Sequence, residues 1–205
     1  MKEKVTYDKL EYEKIEQAKG YKLIAGVDEV GRGPLAGPVV VACVIMPTDD
    51  LIDGIDDSKK VSEKKREKLY PLILEKAICV NIAVVDEKVI DEINILEATK
   101  KAMYEAVAGM KVQPEVVLID AVKLDLPCKT VSIIKGDAKS YNIGAASIVA
   151  KVYRDRMMNE YAKIYPQYGF EKNKGYGTKA HIDAIKEFGA TPIHRQSFIK
   201  NFVEK

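Results

Sequence analysis

The stretch GVDEVGRGPLAGP, residues 26–38, decides how the rest of this 205-residue sequence is interpreted. An apolar run leads into two adjacent carboxylates, Asp28 and Glu29, and a second apolar run, residues 39–45, follows the segment rich in glycine and proline. Two short apolar runs joined in this way are typical of a strand, a tight connection and a second strand. Carboxylates at the end of a buried strand are costly unless something neutralises them, and a divalent cation would do so.

The composition predicts a globular domain and excludes several other classes of protein. Hydrophobic residues make up 47% of the sequence and charged residues 31%, so residues 1–205 suffice for a single domain with its own core. No apolar run approaches the length of a membrane span, and the N-terminus has no apolar signal core. Three scattered cysteines, Cys43, Cys79 and Cys128, form neither a metal-ligand pattern nor a disulfide framework. We therefore expect a cytoplasmic protein with no membrane partner; the net charge of +2 does not by itself predict a nucleic-acid partner.

Hydrophobic periodicity predicts alternating strands and helices. Five strands are predicted over residues 21–30, 36–46, 78–85, 115–120 and 131–135. Helices are predicted over 5–19, from Ser62 with a kink or break at Pro71, from a capping box at Asn94 and Glu97, over about 139–165, and near 179–188, followed by an irregular end. This order indicates a mixed α/β sheet, with a short N-terminal helix within residues 1–20 and a loop and helical tail over 166–205.

Four carboxylates lie at or just after predicted strand ends: Asp28, Glu29, Asp120 and Asp137. Ligand sites of open α/β sheets gather near strand ends, and neighbouring first and fourth strands would bring Asp28 and Asp120 together. Close carboxylates repel each other, and Mg²⁺ or Mn²⁺ would remove that repulsion. Adjacent strand residues point to opposite faces, so Asp28 is the expected side-chain ligand, whereas Glu29 needs a backbone bend or contributes its carbonyl. A turn cap is the alternative role of a lone aspartate such as Asp120.

Further motifs carry a resemblance to a known family. They are DSKK at 57–60, DEINILEATKKAM at 91–103, LID at 118–120, KGDAKS at 135–140, GAASIVAKVYRDR at 144–156, YGFEKNKGYGTKAH at 168–181 and TPIHRQSF at 191–198. Together with the first stretch, they make the sequence resemble type 2 ribonuclease H, or ribonuclease HII, over about residues 22–200. The resemblance implies a ribonuclease H-like fold: a five-stranded mixed sheet flanked by helices, whose first three strands form an antiparallel meander, with a small helical C-terminal part.

The same resemblance assigns the four acids to catalysis. It implies that Asp28, Glu29, Asp120 and Asp137 are the catalytic residues and that the first three hold two Mg²⁺ or Mn²⁺ ions. One ion would lower the pKa of the attacking water, and the second would stabilise the leaving oxygen. Asp155 is a rival for the fourth position, but a structural ion pair is its expected role.

Substrate binding requires residues that recognise ribose. A protein distinguishes RNA from DNA through the 2′-hydroxyl or through helix shape. The resemblance implies that Gly31, Arg32 and Gly33 contact the 2′-hydroxyl largely through backbone atoms and that Tyr176 packs on the next deoxyribose. Candidate phosphate contacts are Lys59, Lys60, Lys139, Ser140, Lys172 and Lys174, although surface lysine is common and a half-buried loop aromatic is the alternative for Tyr176. We expect His181 and His194 to be structural.

The resemblance implies a monomeric, metal-dependent endoribonuclease. Its substrates would be RNA–DNA hybrids and duplex DNA that contains single ribonucleotides, cut on the 5′ side of the ribonucleotide to leave 3′-hydroxyl and 5′-phosphate ends. Its role would be ribonucleotide removal in replication and repair. Two alternatives remain at this point: another nuclease of the same fold, such as a 3′ exonuclease or a resolvase, and a hybrid-binding module without catalysis.

Overall fold

A computed structural model describes residues 8–120 and 122–203, and a five-stranded mixed sheet lies at its centre. The strands are β1 Ile24–Val30, β2 Val39–Ile45, β3 Cys79–Val85, β4 Val116–Asp120 and β5 Lys129–Ile133. Their order in the sheet is β3-β2-β1-β4-β5. Strands β1, β2 and β3 pair antiparallel, whereas β1, β4 and β5 pair parallel. The predicted five-stranded mixed sheet and its antiparallel meander are confirmed.

Eight α-helices are found in the described part of the chain. They are α1 Glu11–Gln17, α2 Glu63–Lys76, α3 Glu87–Ala108, α4 Gly136–Lys139, α5 Tyr141–Ile164, α6 Phe170–Asn173, α7 Lys179–Phe188 and α8 Gln196–Val203. The helix predicted over 5–19 is shorter than expected, and residues 1–7 lie outside the described ranges. None of these helices is both long and apolar enough to cross a bilayer.

Helices cover both faces of the sheet. Apolar residues of β1, β2 and β4, including Val27 and Ile119, pack with α3 on one face. Val40, Ala42 and Val44 of β2 pack with α2 and α5 on the other face. This alternation of side chains along β2 explains why the whole strand is buried and why its sequence is apolar throughout.

Gly26 lets α5 approach β1 very closely. A Cβ atom at this position would overlap the backbone of Asn142 in the first turn of α5. The space therefore requires glycine here, because the main chain of β1 at residue 26 touches the main chain at the start of α5.

Two expectations about helices need correction. A kink or break was expected at Pro71, and the break is wrong, since α2 runs through this residue from Glu63 to Lys76. Pro71 lies on the exposed side of α2, where water can reach the backbone carbonyl whose helical partner is lost. The irregular C-terminal end is also wrong, because α8 forms there and buries Ile199.

The C-terminal part packs on the loop between β1 and β2 and on the distal half of α5. Its core contains Phe170, Ile185 and Ile193, together with Leu35 and Met158. Residue 36 also forms an isolated antiparallel bridge with residue 194. The small helical C-terminal part thus supports the loop that carries the Gly-Arg-Gly sequence.

Candidate active site

Asp28 and Asp120 occupy adjacent positions at the ends of two parallel strands. Val27 of β1 pairs with Ile119 of β4, and each aspartate is the next residue of its strand. Because paired strands lie about 4.8 Å apart, the two acids are neighbours, as the predicted strand order required. Both point away from the face on which Val27 and Ile119 pack against α3.

Asp28 is a buried carboxyl group in a cluster of like charge. Burial raises its pKa well above the ordinary value, and the charges of Glu29 and Asp120 add to this effect. A hydrogen bond from Ser147 of α5 acts in the opposite direction. The Ser147 hydroxyl also lies 2.9 Å from the hydroxyl of Ser58, so α5 and the DSKK segment meet beside Asp28.

Two charged neighbours, Arg32 and Asp120, act on the pKa of Glu29 in opposite directions. Burial raises its pKa; the charge of Arg32, whose Nη1 lies 3.4 Å from Oε1 of Glu29, lowers it, and the charge of Asp120 raises it again. Glu29 therefore takes part in the electrostatic cluster although it projects from the other face of β1 than Asp28 does.

Asp137 lies in α4, next to the end of β4. The backbone amide of Gly136 donates a hydrogen bond of 2.8 Å to Oδ1 of Asp120, which fixes the start of α4 beside this acid. Burial raises the pKa of Asp137 to about 6, and the charges of Asp57 and Asp120 contribute, as does a hydrogen bond to Asp57. Burial lowers the pKa of Lys59, but the surrounding acids outweigh burial and raise it, so this lysine faces the cluster.

The chemistry of this donor set fits a hard divalent cation. Carboxylate oxygens are the ligands that Mg²⁺ and Mn²⁺ prefer, and a cation would relieve the repulsion that adds to burial in raising the pKa of Asp28. Within residues 8–120 and 122–203, no three His, Cys, Asp or Glu side chains converge closely enough to hold an ion as they stand. Mutual repulsion of bare carboxylates favours such separation.

The Gly-Arg-Gly loop and Tyr176 lie side by side. A Cβ atom added to Gly33 would lie 3.6 Å from Cε1 of Tyr176, and the ring is 44% exposed. The amide of Leu35 donates a hydrogen bond of 2.8 Å to the carbonyl oxygen of Gly175. Two segments that are about 140 residues apart in the sequence thus form one surface next to Glu29.

The predicted phosphate contacts differ in their surroundings. Lys59, Lys60 and Lys172 are exposed, and Lys60 lies 3.8 Å from a carboxylate oxygen of Asp57. Lys139 is half-buried. Lys174 is also half-buried, and its ammonium group donates to the Glu171 carbonyl and to Asn159.

Ser140 has a different position from the other candidates. It is fully buried at the N-terminus of α5, its hydroxyl donates a hydrogen bond of 2.6 Å to Glu13, and it accepts one from the amide of Ile143. A buried hydroxyl with both partners inside the protein cannot reach a phosphate, so we leave Ser140 out of the proposed substrate contacts.

Asp155 forms the expected ion pair. Its carboxylate accepts a hydrogen bond of 2.7 Å from Lys151 and lies 3.7 Å from the guanidinium of Arg66. Arg66 in turn donates to the carbonyl oxygens of Ser58 and Val61, so this pair holds the DSKK segment against α5.

Four residues near the site were not predicted from the sequence: Ser147, Asp57, Arg154 and Arg195. Asp57 and Arg195 lie inside motifs that were singled out, DSKK and TPIHRQSF, but no role was assigned to them. Ser147 and Arg154 belong to the GAASIVAKVYRDR segment of α5. Their positions on the buried side of this helix were the available signal.

Comparison with known proteins identifies relatives of this chain. Residues 25–201 match the model of the family described as Ribonuclease HII. The chain is 60% identical to a ribonuclease HII of Acetivibrio thermocellus over 94% of this chain and 75% of that protein. It is 56% identical to one from Bacillus subtilis over 91% of this chain and 73% of that protein.

Solved structures share the fold over most of the chain. The ribonuclease H2 from Pyrococcus horikoshii is 26% identical with a TM-score of 0.74, and the alignment covers 90% of this chain and all of that one. The structure of the PCNA:RNase HII complex from Archaeoglobus fulgidus gives 26% identity and a TM-score of 0.76, over 89% of this chain and 98% of that one.

The family is one of divalent-metal-dependent endonucleases of the ribonuclease H type that act on nucleic acid. The fold, the acids at the ends of β1 and β4, and the match over residues 25–201 agree with one another. This chain therefore belongs to the ribonuclease HII family.

Proposed function

We propose that this protein hydrolyses the RNA strand of RNA–DNA hybrids and cuts duplex DNA on the 5′ side of a single embedded ribonucleotide. The products would carry 3′-hydroxyl and 5′-phosphate ends, and the role would be removal of ribonucleotides during replication and repair. The observation that supports this proposal best is the proximity of Gly33 to Tyr176 beside the acid cluster, where a Cβ added to Gly33 would touch the ring. It puts exposed main chain and an aromatic ring where a sugar would lie.

The acids would hold the catalytic ions. Asp28, Glu29 and Asp120 are the proposed ligands of two Mg²⁺ or Mn²⁺ ions, and Asp137 completes the set of catalytic acids. When bound, such ions activate a water molecule and stabilise the charge that develops on the leaving oxygen. Ser147 would orient Asp28 for this role, and its hydrogen bond favours the carboxylate form, against the burial that raises the pKa of Asp28.

Substrate groups would contact the surface around the acids. Main-chain groups of residues 31–33 would meet the 2′-hydroxyl, and Tyr176 would pack on the neighbouring sugar. Lys59 faces the acids and would contact the phosphate next to the cut, while Lys60, Lys139, Lys172 and Lys174 would hold more distant phosphates. We also propose that residues 1–205 form one domain and that the protein acts as a monomer in the cytoplasm.

Digestion of a DNA duplex with one internal ribonucleotide tests this function. With Mg²⁺ or Mn²⁺, the expected result is one internal cut on the 5′ side of the ribonucleotide, and no cut in an all-DNA duplex of the same sequence. Stepwise loss of nucleotides from an end would instead indicate another nuclease of this fold. Tight hybrid binding without any cleavage would indicate a binding module.

A further inference from the structure

Two buried arginines converge on the loop that carries Gly31, Arg32 and Gly33. Arg154 comes from the middle of α5 and Arg195 from the residue before α8, and neither side chain has any solvent exposure. Burying a guanidinium costs free energy unless its N–H groups find partners. Here main-chain carbonyl oxygens supply those partners, so both guanidinium groups bind the backbone of neighbouring segments.

Arg195 binds three main-chain carbonyl groups of this loop. Its Nη1 donates a hydrogen bond of 2.9 Å to the carbonyl oxygen of Arg32, and Nη2 donates to the carbonyl oxygens of Gly31 and Gly37. Its Nε donates a further bond of 3.0 Å to Gly37, and the guanidinium lies over the ring of Phe198 at 5.1 Å. One planar group thereby fixes peptide units at both ends of the loop.

Arg154 joins the same loop to the segment that carries Tyr176. Its Nε and Nη2 donate to the carbonyl oxygens of Pro38 and Ala36, at 2.9 and 3.0 Å. Its Nη1 donates a bond of 2.9 Å to the carbonyl oxygen of Lys174, two residues before Tyr176. The spacing between the main chain at residue 33 and the tyrosine ring therefore depends on this side chain.

The direction of these bonds decides which backbone groups face outward. In a trans peptide the C=O and the following N–H point in opposite directions. Because Arg195 draws the carbonyls of Gly31 and Arg32 inward, the amides of Arg32 and Gly33 are turned away from the protein interior. No protein acceptor for these two amides is found among the described residues.

We propose that Arg154 and Arg195 are positioning residues that set the orientation of the peptide groups at residues 31–33 and their distance from Tyr176, and thereby the discrimination between ribose and deoxyribose. This inference rests on the proposed function, since it explains how the ribose-binding surface is held. Neither arginine contacts the substrate in this proposal. Their effect is transmitted through the carbonyl groups that they bind.

The test measures ribose discrimination in Arg195→Lys and Arg154→Lys. Lysine keeps the charge but cannot make the same forked set of bonds. Two ratios are measured for the parent and each variant. The ratio of kcat/KM for a one-ribonucleotide duplex over a continuous hybrid reports the deoxyribose next to Tyr176. The ratio of affinities for that duplex over all-DNA duplex, without divalent metal, reports the ribose itself. Arg156→Lys is the matched control, since Arg156 is an exposed residue of the same helix that pairs with Glu67.

We expect Arg195→Lys to lower both ratios about 10- to 100-fold, because small misplacements of a binding group have effects of this size. Arg154→Lys should act in the same direction, and Arg156→Lys should leave both ratios within about twofold of the parent. A variant that melts at a lower temperature but keeps both ratios of the parent would assign a purely structural role and overturn the proposal.

Two further results are equally decisive. If Arg195→Lys does not fold, Arg154→Lys decides, and failure of both variants to fold would also leave only a structural role. A parent enzyme that cuts neither the one-ribonucleotide duplex nor the hybrid would contradict the proposed function itself, and this result is distinct from normal discrimination that persists in the variants.

Discussion

The Nε2 atoms of His181 and His194 lie 3.0 Å apart inside the C-terminal part. The amide of Thr191 donates a hydrogen bond of 2.9 Å to Nδ1 of His194, so this nitrogen is an acceptor and the proton of His194 is on Nε2. Nε2 of His181 then accepts, and its Nδ1 donates a bond of 2.9 Å to the carbonyl oxygen of Tyr176. Two neutral imidazoles therefore hold the segment that carries Tyr176, in agreement with the structural role expected for them.

This pair predicts a loss of stability in mild acid. Burial lowers the pKa of both imidazoles, and the charge of His181 contributes to lowering that of His194 to about 4. Folded-state pKa values below that of the unfolded chain mean that the unfolded state binds more protons. Stability from this pair is therefore complete above about pH 6.5 and is lost as the pH falls towards about 4, by on the order of 2 kcal/mol.

Urea unfolding at several pH values between 4 and 7 measures this effect. The sequence contains only two histidines, so His194→Gln should flatten the pH dependence of the free energy of unfolding in this range. Equal slopes for the parent and His194→Gln would show that the pair does not control acid stability.

Asp28→Asn and Asp120→Asn should abolish cleavage while keeping substrate binding. Each change removes a proposed metal ligand, so we expect kcat to fall at least about 1,000-fold. Affinity for the one-ribonucleotide duplex should be equal or higher, because one negative charge near the phosphates is lost. Asp49→Asn is the control, since Asp49 is an exposed acid. Cleavage by either variant at the parent rate would disprove the assignment of that acid.

Gly31 and Gly33 should respond differently to alanine. Gly31 has a φ of +95°, and an added Cβ would meet the guanidinium of Arg154 and lie 2.6 Å from the carbonyl oxygen of Pro38. We expect Gly31→Ala to lower the free energy of unfolding by about 1–3 kcal/mol. At Gly33 the nearest atom would be a ring carbon of Tyr176 at 3.6 Å, so the fold should be unaffected.

Gly33→Ala should instead act on the substrate. The added methyl group would lie on the surface proposed for the sugar, so KM for the one-ribonucleotide duplex should rise with an unchanged melting temperature. Thermal unfolding and steady-state cleavage of both variants test this contrast. Equal losses of stability at the two positions would contradict it.

Glu13 of α1 should stabilise the start of α5, to which it is hydrogen-bonded. This carboxylate is fully buried, and one oxygen accepts hydrogen bonds from the Ser140 hydroxyl and from both the backbone and side-chain amides of Asn142, at 2.6, 3.0 and 3.2 Å. Glu13→Ala leaves these donors without an acceptor, and we expect it to lower the free energy of unfolding by about 2–4 kcal/mol.

Two variants of α1 complete this prediction. Glu13→Gln keeps an acceptor oxygen and should cost about 1 kcal/mol. Glu11→Ala, at an exposed position of the same helix, should have little effect. A cost for Glu13→Ala no greater than that for Glu11→Ala, measured by urea unfolding, would mean that α1 does not support the start of α5.

Local patterns sufficed for the elements whose boundaries are set by nearby residues. Helix α7 begins and ends where it was predicted, because the Thr178 hydroxyl accepts a hydrogen bond from the amide of His181 and Gly189 follows the last turn. The cap predicted at Asn94 is also present: this residue has a non-helical φ of 68° that divides α3 into two parts, and its side chain accepts from the amides of Leu96 and Glu97. These interactions span three residues, so the sequence alone reveals them.

Interactions between distant segments explain what the sequence did not reveal. Helix α8 was missed because its first amides, those of Gln196 and Ser197, are capped by the carboxylate of Asp91 in α3. Arg154 and Arg195 were missed because periodicity does not identify a charged residue whose partners are carbonyl groups of a remote loop. The positions of Asp28 and Asp120 on neighbouring strands could be predicted, because strand ends are visible as the points where apolar runs stop.

The contact at Gly26 makes the separation of β1 and α5 depend on one absent methyl group. The same two layers that touch there carry Asp28 on one side and Ser147 on the other, so the separation of the layers also governs how these two residues meet. Any side chain at residue 26, two positions before Asp28, would push β1 and α5 apart. Transfer of these acids to another scaffold would therefore have to reproduce the bare main chain beneath them, and not only the carboxylates themselves.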